Sequence, residues 1–234
     1  MKNLLTILTL FLFSHQLVAQ ELNSNTFTIT KVDSEFKIDK LYNKQTGKKI
    51  SKKEFDILIE NNPNLSLESV YDKYGKIIKY YYDSNSTNNN IKRSGNAQPE
   101  NGKMFPDFVL KTIDNKKISL NDLKGKLIVL RFELFADNFR FKKNEIVELD
   151  TKINETNRKS EIESIIIFTT PKEEILKGFD IKNSNFKLVP NGSGFHNSCH
   201  ITRYPTTMII DKNGNLIDSF KIIDDINLIE LLNR

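Results

Sequence analysis

Leu127-Ile-Val-Leu-Arg-Phe132 is apolar at every position but Arg131 and contains no turn former. Such a run suits a central strand with both faces covered, the situation of strands in parallel and mixed sheets. Ser164–Phe168 is a second run of the same kind. Between the two, Phe139, Ile146, Leu149 and Ile153 recur at helical spacing and predict a helix with one apolar face. Further on, Thr170-Pro171-Lys172-Glu173 reads as a helix start, with Thr170 as cap, proline in the first turn and Glu173 behind it. Phe186–Val189 gives a short strand, and Thr206–Asp211 and Leu216–Phe220 flank the turn Lys212-Asn213-Gly214 as a hairpin. Asp224 is placed to cap a closing helix through Ile226, Ile229 and Leu232. Upstream, Phe108–Lys111 and Lys117–Ser119 flank Asp114-Asn115 as another hairpin. Strand, helix, strand, helix, hairpin and closing helix predict an α/β fold, a central mixed sheet flanked by helices.

Towards the N-terminus the composition changes twice. Residues 84–102 read SNSTNNNIKRSGNAQPENG, a polar Asn/Ser-rich stretch with almost nothing to bury, expected to be a flexible linker. Residues 21–83 are expected to form a small α+β domain. Thr26–Val32 and Glu35–Ile38 alternate apolar and polar residues as strands do. Ser51-Lys-Lys-Glu54 is a capping-box signature, followed by the apolar helix face Phe55, Leu58 and Ile59 ahead of Pro63. Ser69–Tyr74 and Lys76–Asp83 meet around Gly75 as a hairpin, and Tyr80-Tyr81-Tyr82 suits a half-buried strand. Residues 1–20 open with Lys2, run apolar from Leu4 to Phe13 and end in Leu-Val-Ala-Gln. That order of charge, apolar stretch and small residue is expected of a secretory signal peptide.

The whole chain carries a net charge of +5, of which Lys2 supplies one, leaving +4 on the expected 214-residue mature chain. Lysines and acids are interspersed, so no basic block points to nucleic acid. No later apolar run is long enough to span a bilayer, so no stable membrane insertion is expected once the signal is removed. Cys199 is the single cysteine and cannot form a disulfide within the chain. His196, Cys199 and His200 are the only histidines and the only cysteine of the expected mature chain, and their spacing would let His196 and His200 share a helix face. A zinc site ordinarily takes four ligands, and no second cluster supplies the rest.

Two blocks narrow the fold further. Phe105-Pro-Asp-Phe-Val-Leu110, Ile118-Ser-Leu-Asn-Asp-Leu-Lys-Gly-Lys126 and Leu127–Phe132 resemble the opening of a redoxin or TlpA-like thiol-disulfide oxidoreductase of the thioredoxin superfamily. Tyr204-Pro-Thr-Thr-Met-Ile-Ile-Asp-Lys-Asn-Gly214 is similar to that family's cis-proline strand and hairpin. The resemblance covers residues 103–234 and implies a thioredoxin-like domain there. It also implies a Cys-x-x-Cys pair after the central strand, and here the sequence departs from it. Counted from Gly125-Lys126, the two cysteine positions fall on Asp137 and Arg140. Disulfide exchange needs a thiolate, which neither residue supplies.

The resemblance therefore implies an active site without its nucleophile. We expect an exported protein, periplasmic or secreted, that uses Tyr204, Pro205, Asp137 and Arg140 as a non-catalytic groove for an exported protein or extended peptide. No cofactor is expected. The alternatives are a thiol-disulfide or antioxidant oxidoreductase working through Cys199 alone, and a metal-binding protein using His196, Cys199 and His200.

Overall fold

A five-stranded sheet whose three central strands are buried along their whole length carries the fold. The computed structural model describes residues 36–62, 65, 67–83, 97–136 and 141–233. The expected strand Thr26–Val32 lies outside them. At the expected strand Glu35–Ile38, Glu35 also lies outside, and Ile38 instead enters a 3-10 turn, Ile38–Lys40. The strand comes just after it, β1 (Leu41–Asn43), where Leu41 provides the buried anchor.

α1 (Lys52–Asn61) opens with the capping box: Ser51 Oγ accepts from Glu54 N, and Glu54 Oε2 accepts from Ser51 N. β2 (Leu67–Tyr71) and β3 (Ile77–Tyr82) are antiparallel, and β1 joins β3 in parallel, giving the order β1-β3-β2. Leu41, Ile50, Tyr80 and Tyr82 form the core of this sheet, with Phe55 and Leu58 of α1 packed on it. Gly75 turns the hairpin at φ +72°, a left-handed conformation that glycine adopts without steric cost.

Beyond residue 96 come the hairpin β4 (Val109–Lys111) and β5 (Lys117–Ser119), then β6 (Leu127–Glu133), α2 (Lys143–Glu155), β7 (Ile162–Phe168) and α3 (Lys172–Gly178). β8 (Lys187–Val189), α4 (Ser193–Ser198), β9 (Thr206–Ile210), β10 (Leu216–Phe220) and α5 (Leu228–Leu232) complete the chain. The sheet order is β10-β9-β6-β7-β8; β6, β7 and β8 run parallel, and β9 is antiparallel to both its neighbours.

Every position of β6, β7 and β9 is buried, which is why their sequences are continuous rather than alternating. The pleat still sorts side chains between two cores. Leu127 and Val129 point towards Ile146, Leu149 and Ile153 of α2 and Leu228, Leu231 and Leu232 of α5. Ile128, Leu130 and Phe132 point the other way, towards Phe105, Phe108, Leu110, Ile118, Cys199 and Ile201.

Two expected caps are corrected. Pro171, not Thr170, occupies the N-cap position of α3, and Thr170 Oγ1 is buried without a hydrogen bond. The cap of α5 is Asn227, whose Oδ1 accepts from Glu230 N at 3.2 Å, because Asp224 is held in a 3-10 turn, Ile223–Asp225, ahead of the helix. The end of the Asn-rich stretch is tied down as well. Gly102 N donates to Leu216 O at 2.7 Å, and Gln98 Nε2 donates to His200 O at 3.1 Å. Residues 84–96 lie outside the described residues.

The β2–β3 turn packs directly on this part. Val109 N donates to Lys73 O at 2.6 Å, and Gly194 of α4 meets Gly75 so closely that a Cβ on Gly194 would lie 1.9 Å from Gly75 O. Residues 37–234 accordingly hold together as one compact unit.

Candidate functional site

The parallel strands β6 and β7 end side by side, with Glu133 in register with Phe168, and the loop after β6 leads to α2. Leu134 O accepts from both Thr169 N (3.2 Å) and Thr169 Oγ1 (2.6 Å), which ties the two strand ends together. Phe135 then stands 40 % exposed while Ala136 turns inward. Asp137 and Arg140, expected from the sequence at the family's cysteine positions and as half of the groove, lie outside the described residues. α2 opens at Lys143 without a side-chain cap.

Behind this loop sits a buried charge cluster. Arg131 is 1 % exposed; its Nε donates to Glu133 Oε1 at 2.8 Å, its Nη2 to Glu145 Oε2 at 2.7 Å and its Nη1 to Thr207 Oγ1 at 3.3 Å. Lys142 Nζ pairs with the other oxygen of Glu145 at 2.8 Å. One guanidinium is thus shared between two carboxylates. A buried charge is tolerated only when it is paired and hydrogen-bonded. Burial pushes the Glu133 carboxyl up to about 7, against the opposing pull of Arg131. Burial also opposes ionisation of Glu145, but the hydrogen bonds from Lys142 and Arg131 hold it below its ordinary value. The sequence signal for the cluster was present in two charged residues, Arg131 and Glu133, flanking Phe132 in a strand that is otherwise apolar.

The Tyr204–Pro205 peptide is cis, and Tyr204 is half-buried where the chain enters β9. Its hydroxyl lies 3.0 Å from His196 Nδ1, and the two rings stack with centroids 5.4 Å apart. His196 is fully buried, with Nε2 2.9 Å from Ile167 O. A carbonyl only accepts, so Nε2 carries a proton; in the neutral ring Nδ1 is then the acceptor, and Tyr204 Oη–H donates to it. Phe132 meets the imidazole edge-on at 5.1 Å. His196 thus joins α4, the end of β7 and the residue before Pro205, a link that spacing in the sequence does not reveal.

These contacts bear on the other expected site residues. With both ring nitrogens of His196 engaged inside the protein, it offers no free lone pair to a metal. Cys199 is 5 % exposed in the core with Phe132 and Ile167, and burial pushes its thiol up to about 12. His200 follows at φ +50°, with Nδ1 buried and without a hydrogen-bond partner. Among the described residues no group of three or more His, Cys, Asp or Glu side chains is arranged to hold a metal. Nor, among them, is any helix long and apolar enough to cross a membrane.

The sequence pattern of the AhpC/TSA family matches residues 101–225. The thioredoxin-like protein YneN of Bacillus subtilis is 28 % identical over 121 residues, which cover 51 % of this chain and 70 % of YneN. The thiol-disulfide oxidoreductase ResA of Bacillus cereus is 29 % identical over 128 residues, covering 53 % of this chain and 70 % of ResA. Among solved structures, the thioredoxin domain of a thiol-disulfide oxidoreductase from Bacteroides vulgatus superposes with a TM-score of 0.48 at 20 % identity. That match covers 55 % of this chain and 94 % of the Bacteroides domain.

Proposed function

The chain belongs to the AhpC/TSA family, and on that premise we propose that it is an exported, non-catalytic member that holds an extended polypeptide beside Tyr204 and Pro205. The observation that carries this reading is the state of its single thiol. Attack on a disulfide or a peroxide requires a thiolate in an accessible, electropositive setting. Cys199 has neither property: it is packed in the core, and desolvation pushes its thiol up to about 12.

The reading is supported by the half-buried Tyr204 ring ahead of Pro205 and by Phe135, which stands 40 % exposed at the end of β6. Asp137 and Arg140 join this reading only through the count from Gly125-Lys126 in the sequence. Export rests on residues 1–20, with Lys2, the apolar run Leu4–Phe13 and the closing Leu-Val-Ala-Gln.

Two assays test the proposal. The chain lacking residues 1–20 is assayed for insulin reduction and peroxide turnover, and no turnover above background is expected. A photo-crosslinking amino acid at position 204 is expected to capture an exported polypeptide. Turnover that disappears in Cys199→Ser would replace the binding role with monothiol chemistry.

A further inference from the structure

Residues 181–210 contain no aspartate or glutamate, although 30 of the chain's 234 residues are acidic. This stretch supplies β8, α4, the Tyr204–Pro205 peptide and β9. Its charged side chains, histidines aside, are Lys182, Lys187 and Arg203. Lys187 is paired with Glu163, and Lys182 lies ahead of β8, so Arg203 is the cation next to Tyr204. Its backbone is fixed on both sides. Ile201 and Pro205 are buried, so Thr202 and Arg203 stand out of the surface between them, with Tyr204 half-buried. Thr206 Oγ1, on a residue 4 % exposed, donates to Arg203 O at 2.8 Å. The Arg203 side chain itself is exposed and makes no ion pair or hydrogen bond among the described residues.

The carboxylates on the neighbouring elements are already matched. β9 lies beside β6, and the acids at the end of β6 and in the first turn of α2 are Glu133 and Glu145. Arg131 donates to both, and Lys142, whose side chain is 57 % exposed, pairs with Glu145 as well. Two cations thus face two carboxylates, and burial pushes Glu133 up to about 7, which leaves the cluster a positive excess near neutrality. Glu173 and Glu174 open α3, which follows β7 on the far side of β6 from β9. Asp137 and Arg140 are opposite in charge and leave the balance unchanged. A guanidinium presents a planar fork of donors that matches a carboxylate, and a surface of one sign attracts a partner of the other. We infer that the polypeptide held beside Tyr204 and Pro205 is acidic, with an Asp or Glu side chain set among apolar residues so that its carboxylate meets the Arg203 guanidinium. This rests on the polypeptide reading of the groove and adds the charge that the groove selects.

Two capped peptides test it: Ser-Val-Asp-Phe-Asp-Val-Ser and the same sequence with lysine in place of each aspartate. Each is titrated into the full chain, and binding is followed by NMR through the imidazole of His196, whose ring stacks on Tyr204. The acidic peptide is expected to bind at least about fivefold more tightly, the factor that one exposed ion pair supplies at its upper end. High salt should shrink the preference, because exposed charges are screened. Arg203→Gln should remove most of the preference and Arg203→Glu should reverse it. Position 203 is exposed, so both variants should fold, which far-UV circular dichroism verifies. Equal binding of the two peptides, or a preference that Arg203→Glu leaves untouched, overturns the inference while the groove stands. Binding of neither peptide overturns the groove and the inference together.

Discussion

Replacing Glu133 by Gln removes one titratable proton from the cluster at the end of β6 while leaving a side chain of the same shape, whose carbonyl still accepts from Arg131 Nε. Burial raises the Glu133 carboxyl from an ordinary 4.5 to about 7. At about 1.4 kcal/mol per pH unit, that separation corresponds to about 3 kcal/mol. Between the two values the folded chain holds a proton that the unfolded chain has released. The contribution is therefore complete below about pH 4.5 and is lost as the pH rises through about 7. Carboxylates outside the Arg131 cluster titrate alike in both proteins and cancel when the two are compared. The stability of the native protein minus that of Glu133→Gln should fall by about 3 kcal/mol between pH 4.5 and about 7.5. Urea unfolding at a series of pH values, followed by far-UV circular dichroism, measures this difference. A difference that stays level or grows with pH would mean that Arg131 keeps Glu133 ionised throughout. Ion pairing rather than desolvation would then govern the cluster, and the reasoning would fail.

Two further outcomes follow from the packing of α4. Gly194→Ala inserts a methyl group 1.9 Å from Gly75 O, so the β2–β3 turn must move off α4. A loss of about 1–3 kcal/mol in unfolding free energy is expected, together with faster proteolysis at residues 72–76, and unchanged proteolysis would contradict the close contact. Tyr204→Phe deletes the hydroxyl that donates to the fully buried His196 Nδ1. A cost of about 1–3 kcal/mol is expected, with a shifted imidazole NMR resonance for His196; an unmoved resonance would show that the hydroxyl does not hold the ring.

Much of the fold was legible from residue order because burial leaves a local trace. Leu127–Phe132, Ser164–Phe168 and Thr206–Asp211 are apolar in sequence because β6, β7 and β9 are covered on both faces. Ile146, Leu149 and Ile153 recur at helical spacing because one side of α2 is buried. The Ser51–Glu54 capping box is likewise a local hydrogen-bond exchange that four residues complete by themselves. Shorter elements left a weaker trace. β1 is three residues long and depends on Leu41 alone for its anchor. The cap of α5 went to Asn227 rather than Asp224 because residue preference names the eligible side chains, whereas the path of the preceding 3-10 turn selects one.

The candidate site divides in the same way. The single cysteine, the absence of a Cys-x-x-Cys pair and the Tyr204–Gly214 block are properties of the sequence, and they limit the chemistry before any coordinate is known. Only the tertiary structure decides what the remaining polar residues do. Five residues place His196, Cys199 and His200 close together in sequence, yet His196 points to Ile167 O and Tyr204 Oη, while Cys199 joins the core around Phe132. Arg131 and Glu133 look misplaced in an apolar strand until Glu145 of α2 and Thr207 of β9 complete their pairing. A periodic apolar face records what each residue requires of water, which is a local property. A hydrogen bond, a raised carboxyl and a thiol's reactivity depend on which distant segments arrive beside them, and that is settled only when the chain is packed.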